Sequence, residues 1–296
     1  MSRTETMGLT RVTVAASRMR TRRLRRLGDW TINTVLVGFT VLVLFPFYWL
    51  VTSALKSDAE LLHSPPIWFP TTPTWDNFVR LASGAFPTWF KNSAIVASST
   101  TVIGLILAAL AAYSFSRFRF RGGRTLSLMF LFIQLFPVAV IIIPLFTLWS
   151  DLKLTNTYWS LIITYLVFGM PLSTWLLIGF FNAVPAELEE AAMIDGTSRL
   201  AALWYVTLPL SLPGLAATAI YVFLLAWNEY FFALTFINSE TMRTIPVGLT
   251  SFFAENKVDW GGLMAASVLA SLPVVVLFAL LSRYFVQGLT SGAVKG

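Results

Sequence analysis

Six stretches of the chain contain no Asp, Glu, Lys or Arg: 30–55, 92–116, 125–150, 154–186, 200–228 and 260–282. A helix needs about 20 apolar residues to cross a bilayer, and each stretch is long enough. The stretches are continuously apolar and lack the alternation of barrel strands, so helices are predicted. Spans are expected near 31–53, 92–115, 126–149, 157–181, 203–227 and 263–286. Two shorter charge-free gaps, 61–75 and 244–254, fall outside this set. The first holds Pro65, Pro66, Pro70 and Pro73 and reads as a loop. The fold class expected is an all-α integral membrane protein with six transmembrane helices.

Composition supports that picture. The chain is 56% hydrophobic and 12% charged, about half the charge of a soluble domain. Disorder is ruled out, and an ordinary cytosolic enzyme is disfavoured. Eleven Trp, eight Tyr and 25 Phe suit a chain that meets membrane interfaces and lipid. There is no Cys, which removes disulfides, thiolate catalysis and zinc–thiolate sites. The one His, His63, sits in the Pro-rich loop, so no His-pair metal site is expected. Eight Arg precede the first apolar run, as in a secretory signal. That run is too long for a signal core and no small-residue cleavage site follows, so it is expected to remain.

Charge then sets orientation. The N-terminal arm, the 116–125 loop, the 182–200 segment and the C-terminal end together hold 15 Lys and Arg, against six on the opposite side. By the positive-inside rule both termini are cytoplasmic. The net charge of +7 is therefore an orientation signal, and no nucleic-acid partner is expected. Residues 1–29 form a basic cytoplasmic arm, and 30–296 form the membrane domain. The external 56–91 segment is too short for a globular domain, and the external 228–262 segment contains Gly261-Gly262.

The chemistry that is missing narrows the function. Ion-coupled transport usually needs ionisable groups within the spans, and here only Glu229 approaches one, at the outer end of the fifth. No Gly-Lys dipeptide occurs, so the phosphate-binding loop G-x-x-x-x-G-K-[ST] is absent. Any energy from ATP must come from a partner.

The segment 182–200 differs from a simple loop. Pro185 suits a helix start, and Glu187, Glu189 and Glu190 lie near the positive end of the helix dipole. Asp195-Gly196 reads as a helix stop, with Thr197 or Ser198 able to cap a second helix. A helix–Gly–helix element is predicted, acidic on one side and apolar on the other.

Here the residues resemble a known family. Glu190-Ala191-Ala192, Asp195-Gly196, then nine residues to Val206, Thr207 and Leu208-Pro209, are similar to the EAA motif of ABC importer permease subunits. Other segments resemble the carbohydrate-uptake branch, in particular the six-span maltose-transporter type. These are Pro46-Phe47-Tyr48-Trp49, Asn92-Ser93, Ala111-Ala112-Tyr113-Ser114-Phe115-Ser116-Arg117-Phe118, Ala226-Trp227-Asn228-Glu229-Tyr230 and the terminal Gly288–Gly296.

The resemblance implies a subunit that pairs with a second, related permease in a bacterial or archaeal cell membrane. Two ATP-binding subunits would hold ATP and Mg, this chain holding no cofactor, and an extracytoplasmic solute-binding protein would deliver an oligosaccharide or disaccharide. Glu190, Ala191, Ala192, Asp195 and Gly196 would form the coupling helix that docks on the ATPase. Gln134, Tyr165, Asn228 and Glu229 are candidates for the substrate pathway, because hydroxyl-rich ligands need polar partners. A polyol or glycerol phosphate ester is an alternative solute. An enzyme or scaffold embedded in the membrane is the alternative of a different class.

Overall fold

The computed structural model describes residues 30–118, 121–253 and 258–293. The basic arm 1–29, Arg119, Lys257 and the end of the terminal Gly-rich segment lie outside them. The chain runs through α1 (Trp30–Ala54), α2 (Asp58–Leu61), α3 (Asp76–Ser83), α4 (Phe86–Arg117), α5 (Gly123–Phe132), α6 (Val138–Asp151) and α7 (Tyr158–Ala183). It continues through α8 (Ala186–Ile194), α9 (Arg199–Ala202), α10 (Leu208–Leu210), α11 (Leu212–Trp227), α12 (Phe231–Phe236), α13 (Ile245–Leu249) and α14 (Trp260–Ala293).

Among the described residues, α1, α4, α7 and α14 are each long and apolar enough to cross a membrane. The expected third and fifth spans are not single helices, which corrects the sequence reading. Residues 125–135 and α6 meet at 96°, and residues 199–210 and α11 meet at 85°. Proline is the cause in both. Pro137 forces Phe136 out of the helical region, to φ −73°, ψ 126°, because a residue before proline clashes there. In the other pair, residues 203–207 widen into a π turn in which the Leu208 amide donates to the Leu203 carbonyl. That turn absorbs the missing amide of Pro209. Helix α11 then restarts at Leu212-Pro213, with proline in the first turn where no amide partner is needed.

The core is the packing of α4, α7 and α11. Ala97, Thr100, Gly104, Ala108 and Ala112 recur every three or four residues along α4 and all are buried, so they share one face. Small residues there let the backbones approach closely, which is how apolar helices gain packing energy without a hydrophobic drive. At Gly104 a Cβ would come within 3.2 Å of Leu166 on α7. Helix α14 joins through Trp227, whose Nε1 donates to the Ala270 carbonyl at 3.1 Å. Helix α1 contrasts with these, since none of its apolar window is buried.

At one end of the bundle residues 56–91, 228–253 and 258–262 fold together and are pinned. The Asn77 amide donates to the Ala54 and Lys56 carbonyls at 2.9 and 3.0 Å. The Asn92 amide donates to the Thr241 and Arg243 carbonyls at 3.0 and 2.8 Å, and its oxygen accepts from Tyr158 at 2.7 Å. The opposite end carries α8.

Candidate functional site

Helix α8 follows α7 directly, with Pro185 just before its first turn. It ends in a Schellman arrangement: the Thr197 amide donates to Ala192 and the Gly196 amide to Met193, both at 3.1 Å. That geometry places Gly196 in the left-handed region, at φ +93°, where a residue with a Cβ is strained. Ser198 then caps α9, its hydroxyl accepting from the Ala201 amide at 3.2 Å. The helix–Gly–helix expectation therefore stands, with Ser198 as the cap.

The expected split into an acidic side and an apolar side is not found, because Glu187, Glu190 and Asp195 share the exposed surface with apolar residues. Glu189 points into the bundle and is 3% exposed, while Leu188 and Ile194 are 46% and 86% exposed. Arg117, at the last turn of α4, meets Glu189 Oε1 through both Nε and Nη2, each at 2.8 Å. Thr207 in the π turn donates to the same oxygen at 2.5 Å, and Tyr113 donates to Oε2 at 2.8 Å. Arg117 also donates to the Val184 carbonyl at 3.0 Å.

One carboxylate thus ties together the end of α4, the α7–α8 junction and the start of the fifth apolar segment. Burial pushes the Glu189 carboxyl up. The bonds from Arg117, Thr207 and Tyr113 outweigh it and leave the group below the usual glutamate range. Arg199 adds a contact from α9, its guanidinium lying 5.3 Å from the Phe118 ring.

Glu190 is on the other side. It is exposed, as are Ala191, Asp195 and Gly196, and Ala192 is half-buried. Successive helical residues are about 100° apart, so neighbouring glutamates face different ways. The sequence reading grouped Glu189 with the surface acids and missed its partners. That 100° offset was the available signal that only one of the two could share the outward face.

The pathway candidates fall into separate places. Tyr165 is fully buried and donates to Glu229 at 2.7 Å. Glu229 also accepts from the Phe232 and Ala233 amides at 2.9 and 3.1 Å, so these two residues are bonded to each other and to the start of α12. Asn228 is exposed at the end of α11, with its amide donated to the Leu224 carbonyl at 2.9 Å. Gln134 lies at the break between α5 and α6 and makes only long bonds, 3.3 Å to the Tyr221 hydroxyl and 3.4 Å to the Phe168 carbonyl. The structure bonds Tyr165 to Glu229 and gives Gln134 and Asn228 other partners.

A family model described as the binding-protein-dependent transport system inner membrane component matches residues 100–291. The chain belongs to that family. It is therefore a translocation subunit and not an enzyme, an inner-membrane component that works with a solute-binding protein. It is similar to the trehalose/maltose transport system permease protein MalG of Thermococcus litoralis, 39% identical over 260 residues that cover 86% of this chain and 93% of that one. It is also similar to the diacetylchitobiose uptake system permease protein DasC of Streptomyces coelicolor, 38% identical over 90% of this chain and 97% of that one. In fold it resembles a bacterial ABC transporter that imports the polysaccharide alginate, with a TM-score of 0.73 at 24% identity over 86% of this chain and 95% of that one. The family match includes α8 and every residue bonded to Glu189.

Proposed function

We propose that this permease imports a sugar, of disaccharide or oligosaccharide size, delivered by an extracytoplasmic solute-binding protein and driven by ATP hydrolysis on two partner subunits. A second, related permease completes the pathway. Counting each bent pair as one span, the chain crosses the membrane six times, with both termini and α8 in the cytoplasm. Relatives named for trehalose, maltose and diacetylchitobiose uptake support the sugar class. The ATP and Mg belong to the partner subunits.

Helix α8 is the docking element. The observation that carries this reading is the outward face of α8, where Glu190, Ala191, Leu188 and Ile194 are exposed beside Gly196, while Glu189 on the inner face anchors the helix to α4 and Thr207. Exposed apolar side chains next to a carboxylate suit a protein cleft with a basic group. Ala191 and Ala192 permit close approach, and Asp195-Gly196 turns the chain back toward the membrane.

The test compares Glu190→Lys and Gly196→Val with Ser198→Ala in the complete complex. Glu190→Lys sets like charges together, which can cost several kcal/mol at an interface. Both variants should insert normally and lose ATP-driven uptake, with co-purification of the ATPase reduced most in Glu190→Lys. Uptake by both at the Ser198→Ala rate refutes the docking role.

A further inference from the structure

Gln134 occupies an unusual place for an amide. Its side chain is bonded to the Phe168 carbonyl, and Phe168 lies ten residues from the start of α7 and fifteen from its end. At 1.5 Å per residue that is about 15 Å from one end and about 22 Å from the other, close to mid-depth in the bundle. Gln134 is nevertheless exposed, as are Phe132, Leu135, Phe136 and Pro137 around it. Two consecutive extended residues, Phe136 and Pro137, interrupt the helical ladder at the same point. Interrupted backbone at membrane depth survives only where protein covers it or water reaches it, because hydrocarbon offers it no partner.

The groups at the break match the chemistry of a carbohydrate. The Tyr221 hydroxyl accepts from the Gln134 amide, which leaves its own proton to donate. Among the described residues no donor is bonded to Gln134 Oε1. Both amide bonds are long, 3.3 and 3.4 Å, so the side chain can shift at small cost to bring Oε1 to a ligand hydroxyl. Phe136, 59% exposed, adds an apolar ring of the kind that the C–H face of a sugar covers.

We infer that the break at residues 133–137 is a contact point for the transported sugar, with Gln134 accepting from a hydroxyl, Tyr221 donating to one, and Phe136 offering its ring. This rests on the sugar-permease reading. Tyr165 and Glu229, whose bonding groups serve each other, are excluded from the contact.

The experiment uses the reconstituted complex with its binding protein, Cys-free partner subunits and maltose or trehalose as the probe. Gln134→Cys in this Cys-free chain should react with a water-soluble methanethiosulfonate, and excess disaccharide should slow the reaction. Gln134→Leu and Tyr221→Phe should each raise KM for uptake about tenfold, the loss of one hydrogen bond. Recovery of the complex from the membrane with its ATPase subunits attached should be unchanged, which separates lost contact from misfolding. An unreactive thiol means the break faces lipid or the second permease and overturns the inference. So does labelling that the sugar does not slow, or an unchanged KM. Absence of uptake of either disaccharide by the unmutated complex refutes the sugar reading instead, and is visible before any variant is made.

Discussion

Glu189→Gln isolates the buried anchor of α8 from the exposed face that carries Glu190. The substitution keeps an oxygen for Tyr113, but removes the charge and puts an amide N–H where Oε1 accepts from Thr207 and twice from Arg117. Arg117 has 11% of its side chain exposed, so its charge is left nearly dry, and breaking one partner of such a pair costs about 3–5 kcal/mol. The Val184 carbonyl, 3.0 Å from Arg117, recovers part of this, which favours the lower bound. If α8 opens locally, about 3 kcal/mol corresponds to at least a hundredfold faster amide exchange, at 1.4 kcal/mol per tenfold. Hydrogen exchange followed by mass spectrometry should show this over 186–207, with the α4–α7 core unchanged. Glu190→Gln, one residue away and exposed, should leave exchange within experimental error. Replacing both partners, Arg117→Met with Glu189→Leu, should restore much of the protection, since an apolar pair of similar volume leaves no buried charge. Unchanged exchange over 186–207 in Glu189→Gln would refute the claim that this ion pair holds α8 to the bundle.

Because the Glu189 carboxyl lies below its ordinary range in the folded protein, its stabilisation is complete above the unfolded glutamate value and is lost as pH falls through the folded one. Exchange over 186–207 should therefore be flat at neutral pH, after correction for intrinsic rates, and rise selectively only below about pH 4. Gly196→Val should destabilise the α8–α9 turn by about 1–2 kcal/mol, purely from φ +93°, because a Cβ there meets nothing within 4 Å. Exchange confined to 192–200 would measure it, and Gly196→Asn, which tolerates that conformation better, should cost less. Ser198→Cys should be labelled by an impermeant thiol reagent only in inside-out vesicles; labelling from outside intact cells would reverse the orientation.

Much of the architecture was legible because it is written in local pattern. Charge-free runs mark apolar helices, since hydrocarbon penalises any ionised group wherever the helix later packs. Asp195-Gly196 and Ser198 announce a stop and a start because those residues suit a left-handed turn and a cap without help from elsewhere. Even the two bends were visible as Pro137 and as Pro209 with Pro213, but a count of charge-free lengths is blind to them. Proline acts through a missing amide and a steric clash, and changes no charge.

Other properties arose only when distant segments met. Nothing near Glu189 distinguishes it from Glu190; the distinction comes from Arg117, 72 residues earlier, and Thr207, 18 later. Tyr165 and Glu229 looked like free polar groups until folding brought residues 64 apart within 2.7 Å. Helical periodicity states which residues share a face, a short-range property of 3.6 residues per turn. Which way that face turns is a matter of what the rest of the chain places opposite it. A buried carboxylate is stable only beside donors gathered from several helices, and here those donors turn Glu189 inward and leave Glu190 exposed.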